Sequence, residues 1–411
     1  MAFFRIWCLA VLLGAVSCAT APPRADLIIE NVTVYAGRGD GPFVASVAVR
    51  AGVFSAVRRS RMNTRGAGKV VDGRGLYLTP GLWDMHAHTR ASLEKEMALS
   101  AFLENGVTSI RDLGGFHGRL VAAQEASRKS AAAGPAIYAS YDVLNGEAFA
   151  PFHLPVSSAA EARAAVDRLA GVGAAQIKVH RALPPDLLPV VIEAAHAHGR
   201  AVVGHIPLGV HPLDACEMGM DGVEHVGSFI EALASVSGGE DAEADPVAYM
   251  LSDASAPLYA CLVRNDVAVT PTLAIYPAIA RRRSGDGPMP QAFVDFIRQM
   301  QAIALRLHQS GVMLLSGSDT ADTDTFDMPP GASLVDELLL LQEAGIAPQD
   351  VLLTATANAA SALGLEGAAG TIEVGAHADF LLLTRDPGKD IGNVRAIRSV
   401  YRRGEKVFGT D

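Results

Sequence analysis

The chain has little positive charge. In 411 residues it carries 34 Lys and Arg against 44 Asp and Glu, a formal net charge of −10, and no basic stripe interrupts this balance. Because phosphate backbones and anionic headgroups repel such a protein, the composition argues against non-specific binding to nucleic acid or to a lipid surface. Aromatic residues are also sparse, at 6% of the chain, so any cluster of them in a fold would be informative.

Long hydrophobic runs are lacking as well. The most apolar stretch, residues 6–16, is too short to span a bilayer and lies between Arg5 and Ser17. A basic start, a short apolar run and a small residue are typical of a secretory signal peptide, predicted here over residues 1–17. Residues 13–18 resemble a bacterial lipoprotein box, although Ala15 stands where Leu is usual, which favours lipidation of Cys18.

This N-terminus predicts an exported protein that is periplasmic or lipid-anchored to a bacterial membrane, with a lipid on Cys18 as its only membrane attachment. Plain secretion is the alternative. Cysteine is scarce beyond this segment, where only Cys216 and Cys261 remain. They could pair in an oxidising compartment, but a pairing so far apart in sequence cannot be assigned, and we expect buried free thiols.

The rest of the chain is rich in apolar residues, at 50%, with 19% charged, which fits a soluble enzyme with much buried strand. Short β-type runs split by Gly and Asp occupy residues 26–78 and 366–408. Because chain termini usually lie close together, we expect both ends to build one small β-sandwich domain.

Residues 79–365 alternate between apolar β-type runs and amphipathic helical segments. Eight strand–helix units in roughly 250 residues are typical of an α/β fold of the (β/α)8 TIM-barrel type. The predicted strands are 81–87, 106–112, 136–144, 174–180, 201–206, 222–227, 267–273 and 312–319. The clearest helical segments are 93–104, 159–171, 186–198 and 293–309.

Ionisable residues occur at the ends of several predicted strands. The period of two in a strand places His86 and His88 on one face, where two imidazoles can hold one divalent ion. A His-x-His pair alone is as often a polar rim, but Lys178, His205, His225 and Asp319 fall at four other strand ends. Lys, His and Asp suit apolar strand ends poorly unless they are paired or metal-bound, so this set favours a metal site.

With these residues placed, the chain resembles the amidohydrolase superfamily over nearly all of its expected mature length. The features that match are the split β-domain, the entry Thr-Pro-Gly-Leu-x-Asp-x-His-x-His at 79–88, the later His and Asp residues, and the closing text Gly-x-Ile-Glu-x-Gly-x-x-Ala-Asp-Phe at 370–380. It looks most like the imidazolonepropionase-related branch, which includes metal-dependent prolidases that act on Xaa-Pro dipeptides.

The resemblance implies two divalent metal ions. His86 and His88 with Asp319 would hold the first ion. His205 and His225 would hold the second. Lys178, converted by CO2 to a carbamate (N6-carboxylysine), would bridge them. Imidazole and carboxylate ligands favour Zn²⁺, with Mn²⁺ or Co²⁺ also compatible.

The implied reaction is hydrolysis of a C–N bond in a small amide, dipeptide or lactam. Asp319 would take a proton from the attacking hydroxide and deliver it to the leaving nitrogen. The substrate candidates near strand ends are Tyr141, His180, Arg181 and Tyr276, with Asn145, His153 and His117 as weaker ones. The text after Lys178, Val-His-Arg-Ala-Leu-Pro-Pro, departs from the Gly-containing loop of prolidase-like members, so the dipeptide assignment stays open.

Other readings also stay open. Relatives that deaminate usually carry Glu three residues after the His of strand five, where this chain has Leu208, and this lowers the deaminase alternative. A mononuclear, imidazolonepropionase-like hydrolase of cyclic amides remains if Lys178 is not carboxylated. A lipid-anchored binding protein without catalysis is the alternative of another class. The sequence leaves the oligomeric state open, a homo-oligomer included.

Overall fold

A computed structural model describes residues 24–90, 92, 97–236, 245–285, 287–321 and 327–410. The predicted signal peptide and Cys18 lie outside the described residues. Within them, no helix has both the length and the apolar character needed to cross a membrane.

The chain forms eighteen strands within the described residues. They are β1 Leu27–Val34, β2 Phe43–Arg50, β3 Val53–Arg58, β4 Lys69–Asp72, β5 Tyr77–Pro80, β6 Leu82–His88, β7 Val107–Asp112, β8 Ala136–Ala139, β9 Val143–Asn145, β10 His153–Pro155, β11 Ile177–Val179, β12 Val202–Gly204, β13 Gly222–Glu224, β14 Ala268–Thr270, β15 Thr320–Ala321, β16 Phe380–Leu383, β17 Ile397–Arg402 and β18 Glu405–Gly409.

Thirteen α-helices accompany them in the same part of the chain. They are α1 Ser100–Glu104, α2 His117–Lys129, α3 Ala159–Gly171, α4 Leu188–Ala197, α5 Pro212–Glu217, α6 Val226–Val236, α7 Pro246–Leu251, α8 Ala256–Arg264, α9 Ile275–Ser284, α10 Gln291–Gln309, α11 Ala332–Glu343, α12 Pro348–Thr354 and α13 Ala357–Ser361.

One mixed sheet joins the two chain ends, with strand order β18-β17-β16-β5-β1-β2-β3 and β4 paired with β1. The contact between the ends is the antiparallel pairing of β16 with β5, in which Phe380 lies opposite Pro80. The alternating apolar residues of these strands bury one face in a core that includes Ile29, Val47, Phe54 and Phe380. Phe380 also stacks on Tyr401, with ring centroids 4.5 Å apart.

The central part of the chain is α/β, with helices between parallel strands. Its regular strands form two parallel sheets, β10-β9-β11-β12-β13-β14 and β15-β6-β7-β8. The predicted strand 136–144 is divided into β8 and β9, which belong to different sheets. No regular strand therefore joins β8 to the six-stranded sheet within the described residues.

The predicted strand 312–319 is wrong, since only Leu314 makes a bridge there, to Val269, and β15 begins at Thr320. The segment nevertheless runs between β14 and β6. Met313 accepts a hydrogen bond from the backbone of Val269 at 2.9 Å, and Asp319 donates one to the carbonyl of His86 at 2.8 Å. Its close approach to β6 requires Gly317, where a Cβ atom would lie 2.7 Å from Cβ of His86.

The expectation of free thiols is also wrong. Cys216 on α5 and Cys261 on α8 form a disulfide, with Cα atoms 6.3 Å apart and a sequence separation of 45. The fold packs α5 against α8, and sequence spacing gives no sign of that contact. Both cysteines are buried.

Candidate metal centre and cavity

His86 and His88 lie side by side at the carboxyl end of β6, and the groups around them fix their tautomers. Nδ1 of His88 is 2.9 Å from the carbonyl oxygen of Gly114, which can only accept. Nδ1 of His86 is 2.8 Å from Oε2 of Glu224, a buried carboxylate. Both Nδ1 atoms therefore carry the proton, which leaves the two Nε2 lone pairs free to bind a cation.

His225 follows β13 and is held in the same way. Its Nδ1 is 2.7 Å from Oγ1 of Thr272, and that hydroxyl donates its own hydrogen to the carbonyl of Pro271 at 2.8 Å. The hydroxyl can then only accept from His225. Both residues have positive φ, 66° for His225 and 51° for Thr272, which costs non-glycine residues about 1–3 kcal/mol each. Such strain is typical of a functional site.

Asp319 completes this group from the end of the irregular segment, with φ of 60°. Its Oδ1 lies 3.3 Å from Nε2 of His86 and 3.4 Å from Nε2 of His88. Because these nitrogens and oxygens are all acceptors, they repel one another unless a proton or a cation lies between them. His86, His225 and Asp319 each also offer one possible metal-ligand atom, and these three atoms lie within 4.8 Å of one another. That spacing could hold a metal ion.

The charges of this group follow from burial and proximity. Burial, and next the charge of Lys178, hold the pKa of His86 well below its usual range, and burial lowers the pKa of His225. Burial opposes protonation of His88, but its hydrogen bond to Asp319 together with the charges of Asp319 and Asp112 outweighs this and raises the pKa. Burial would raise the pKa of Asp319, yet the neighbouring histidines lower it.

Lys178 and His205 are the other two predicted ligands, on β11 and just after β12. Both line the same cavity as the first group. Nζ of Lys178 and Nδ1 of His205 are buried and have no hydrogen-bond partner among the described residues. Burial lowers the pKa of Lys178 to about 8. A buried lysine with no anion in contact is unusual, since such residues are normally paired.

The sequence interpretation missed the residues that support this group. Arg111 on β7 donates to Oε1 of Glu224 at 2.5 Å and to Oγ1 of Thr270 at 3.0 Å, so a buried cation holds the carboxylate that orients His86. The signal was present, since an Arg inside β7 and a Glu inside β13 are out of place in apolar strands unless they pair.

Asp84 belongs to the entry motif at 79–88, which by itself indicates no role for this residue. Its two carboxylate oxygens accept from the backbone N–H of Ser318 at 2.9 Å and from its hydroxyl at 2.6 Å. This pair fastens β6 to the segment that carries Asp319. Burial raises the pKa of Asp84 to about 6, against the opposing effect of these hydrogen bonds.

The six predicted ligands line one cavity of about 750 Å³, and we call the part of the lining that they form its floor. Of the four substrate candidates, His180 and Tyr276 line it. Tyr141 does not line it, because its hydroxyl is turned to Gln124 Oε1 at 3.0 Å. Arg181 is also outside the lining, and its guanidinium is directed to Oε2 of Glu231 at 3.7 Å.

Of the weaker candidates, only His153 lines the cavity. Asn145 instead supports the loops, as it accepts from the backbone of Ala182 at 3.0 Å and donates to the carbonyl of Glu147 at 2.8 Å. His117 begins α2 and packs its ring edge on Tyr141.

The site is a candidate metal site in an α/β protein, with candidate ligands near the carboxyl ends of parallel strands. The profile of the Amidohydrolase family matches residues 77–407, and the chain belongs to this family.

Named relatives are distant. An uncharacterised protein of Mycobacterium tuberculosis is 29% identical over 85 residues, which are 21% of this chain and 14% of that protein, so the match spans a small part of it. Ochratoxinase of Aspergillus niger is 25% identical over 81% of this chain and 76% of its own.

Solved structures resemble the chain over almost its full length. A Xaa-Pro dipeptidase with bound methionine superposes with a TM-score of 0.73 at 18% identity and covers 92% of this chain and 99% of its own. The ochratoxinase structure has a TM-score of 0.73 at 20% identity, with 94% and 96% covered. At these identities the likeness is one of fold.

Proposed function

We propose that this protein is a metal-dependent hydrolase that cleaves the C–N bond of an amide, built on a (β/α)8-type barrel. The observation that carries the proposal is the contact of Asp319 with His86 and His88, in which both imidazoles turn an Nε2 lone pair towards a carboxylate. Membership of the Amidohydrolase family supports the same chemistry.

The residues fit a pair of divalent ions. His86, His88 and Asp319 would hold one ion, His205 and His225 the other, with imidazole and carboxylate donors that suit Zn²⁺, Mn²⁺ or Co²⁺. Bound ions supply Lewis acidity towards an amide carbonyl and a water molecule acidic enough to ionise near neutral pH.

Lys178 fits the bridging position only in a modified form. As a cation it cannot be a ligand, but as the carbamate formed with CO2 it offers two anionic oxygens. The unpartnered Nζ supports this proposal, as does a pKa lowered to about 8 by burial, which keeps part of the amine neutral and nucleophilic near neutral pH.

Asp319 would move the proton. As the oxygen of water bonds to the carbonyl carbon, a carboxylate oxygen of Asp319 accepts its proton, and as the C–N bond breaks the same proton passes to the leaving nitrogen. The products are a carboxylic acid and an amine. The lowered pKa of Asp319 keeps the carboxyl ionised and able to accept at neutral pH.

A second candidate is a mononuclear hydrolase of cyclic amides. It is favoured by the group His86, His225 and Asp319, which could hold one ion without Lys178. No observation supports the deaminase alternative, because Leu208, at the position where deaminases carry Glu, is 40% exposed and does not line the cavity.

The structural neighbours named above are a Xaa-Pro dipeptidase and an ochratoxinase. For this chain we propose only the broader substrate class of a small amide or dipeptide-like molecule. We also propose that it works outside the cytoplasm, with Cys18 as the site of a lipid. The Cys216–Cys261 disulfide supports an oxidising compartment.

The test is hydrolysis of a panel of dipeptides, N-acyl amino acids and lactams, with and without a chelator. We expect turnover that a chelator abolishes and zinc restores. Asp319→Asn should lower kcat at least ~100-fold, the lower end of the effect of a positioned acid–base group. Turnover that survives this substitution would refute the role of Asp319, and turnover that survives full metal removal would refute the proposal.

A further inference from the structure

The walls of the cavity differ in character from its floor. The floor carries the imidazoles, Lys178 and Asp319, whereas four aromatic side chains, Phe149, Phe152, Tyr276 and Phe296, line the walls. We call these four the aromatic wall. Aromatic residues make up only 6% of the chain, so their concentration around one cavity is a specific feature of it.

Two members of the aromatic wall lie in the loop between β9 and β10. Phe152 stacks on His88 with ring centroids 6.2 Å apart, and its edge faces His153. The ring of Phe149 packs at a steep angle to the rings of His153 and His180, with centroids 6.0 and 5.8 Å away. Phe149 is still 54% exposed, although it borders the half-buried imidazoles of His153 and His180. A large apolar side chain left open at a cavity is typical of a surface that a ligand covers.

The other two members come from α9 and α10. Tyr276 and Phe296 pack edge to face with centroids 5.2 Å apart. The hydroxyl of Tyr276 accepts from the backbone N–H of Gly227 at 3.0 Å, which fixes this pair beside the start of α6, directly after His225. Ile275 and Ile279 extend the apolar surface around it.

Charge in the cavity points the same way. Among the described residues that line it, Lys178 is the only Lys or Arg. Arg181, which could have paired with a charged substrate end, lies over the ring of Phe149 and points to Glu231. The wall therefore offers dispersion and ring contacts, and no basic Lys or Arg side chain, to the group that enters it.

We infer that the substrate amide carries a bulky, aromatic-sized apolar group that packs against the aromatic wall, in contrast to small or charged dipeptides. This inference rests on the proposed function and narrows its substrate class. A cavity of about 750 Å³ is large for a small dipeptide and lies well within the range of about 300–1,000 Å³ for sites of larger ligands.

The test compares matched amides on the zinc-loaded protein. Two carry a phenyl group, N-(3-phenylpropionyl)glycinamide and N-acetylphenylalaninamide. N-acetylglycinamide lacks the phenyl group, and N-(3-phenylpropionyl)glycine has it together with a free carboxylate. We expect kcat/KM at least ~10-fold higher for one of the phenyl amides than for N-acetylglycinamide. Phe149→Ala and Phe296→Ala should reduce this preference at least ~3-fold, mainly through the KM of the phenyl amides. Phe408→Ala, an exposed Phe on β18, is the matched control and should change nothing.

Equal or greater kcat/KM for N-acetylglycinamide or for the free acid would overturn the inference, and so would a phenyl preference that both variants retain. If the protein turns over none of these amides, that result counts against the proposed function. Ligand binding then tests the inference separately. By calorimetry, 3-phenylpropanol should bind at least ~10-fold more tightly than 1-propanol, and Phe149→Ala should weaken it. Equal binding of the two alcohols would refute the aromatic wall as a binding surface.

Discussion

Glu224 joins His86 to Arg111 inside the protein. One carboxylate oxygen is 2.8 Å from Nδ1 of His86, and the other accepts from Arg111 at 2.5 Å. All three side chains are buried. The guanidinium holds the carboxylate in place, and the carboxylate keeps the proton of His86 on Nδ1, so the orientation of this candidate ligand depends on a residue outside the cavity.

Glu224→Gln should therefore affect both metal binding and stability. The amide can donate to His86 as well as accept, so the tautomer is no longer fixed, and we expect zinc affinity to fall about 10–100-fold. Arg111 loses its buried anionic partner, which should cost about 3–5 kcal/mol of folding free energy. Zinc titration and urea unfolding measure the two effects. Glu193→Gln breaks an exposed pair with Arg163 and should change neither.

Thr272 has the corresponding role for His225, and Thr272→Val removes the hydroxyl with little change in shape. We expect zinc affinity to fall about 10-fold, because the Nδ1 proton loses its acceptor. Thr272→Ser should restore most of it. Thr384→Val, which removes an exposed hydroxyl bonded to Ala396 at 3.2 Å, is the control. Equal zinc affinity in Thr272→Val and wild type would show that Thr272 does not orient His225.

Glu337 on α11 predicts a pH dependence of stability. Its Oε2 accepts from the backbone of Ala274 at 2.7 Å, but its Oε1 is buried without a partner among the described residues. Burial raises the pKa to about 8 in the fold, from an ordinary value of 4.5. The folded state therefore holds the proton more tightly, and this contribution is complete below pH 4.5 and lost as the pH rises through 8.

Urea unfolding of wild type and Glu337→Gln across this pH range measures the effect. The free energy of unfolding of wild type should fall relative to the variant, by at most about 1.4 kcal/mol per pH unit. A difference that does not change with pH would mean that Glu337 titrates normally.

The disulfide predicts a redox dependence of stability. It closes a loop of 45 residues, for which the loss of chain entropy in the unfolded state gives about 4 kcal/mol. Cys216→Ala with Cys261→Ala should lower the unfolding free energy by about 2–5 kcal/mol. A reductant should destabilise wild type and leave the double variant unchanged. Equal sensitivity of both proteins to reductant would contradict the pairing.

Much of the fold could be predicted because its signals are local. The helix 159–171 ends as predicted, and β6 and β7 agree within a residue with the predicted strands. The irregular course of segment 312–319 could not be predicted, because its apolar run is typical of a strand, whereas in the fold it makes a single bridge at Leu314 and ends at Asp319 with a positive φ. The disulfide depends on helix packing, which the spacing of two cysteines does not encode.

The structure places the six candidate ligands predicted from sequence around one cavity, and their roles stay predictions. Candidate ligands can be recognised at strand ends, because ionisable side chains are unusual in apolar strands. Residues that contact the substrate are harder to predict from the sequence. Tyr141 and Arg181 follow strand ends too, but the loops turn them to Gln124 and Glu231. The aromatic wall comes from a loop and two helices, where Phe and Tyr look like ordinary core.

The most direct test of the account is the zinc content per chain of protein prepared with zinc and bicarbonate, compared with Lys178→Met, which keeps the bulk of the side chain and removes the amine. Close to two ions in wild type, falling towards one in the variant with the fold unchanged by circular dichroism, is the predicted result. One ion in both proteins would contradict the bridging role of Lys178. No bound zinc in folded wild type would contradict the metal centre itself.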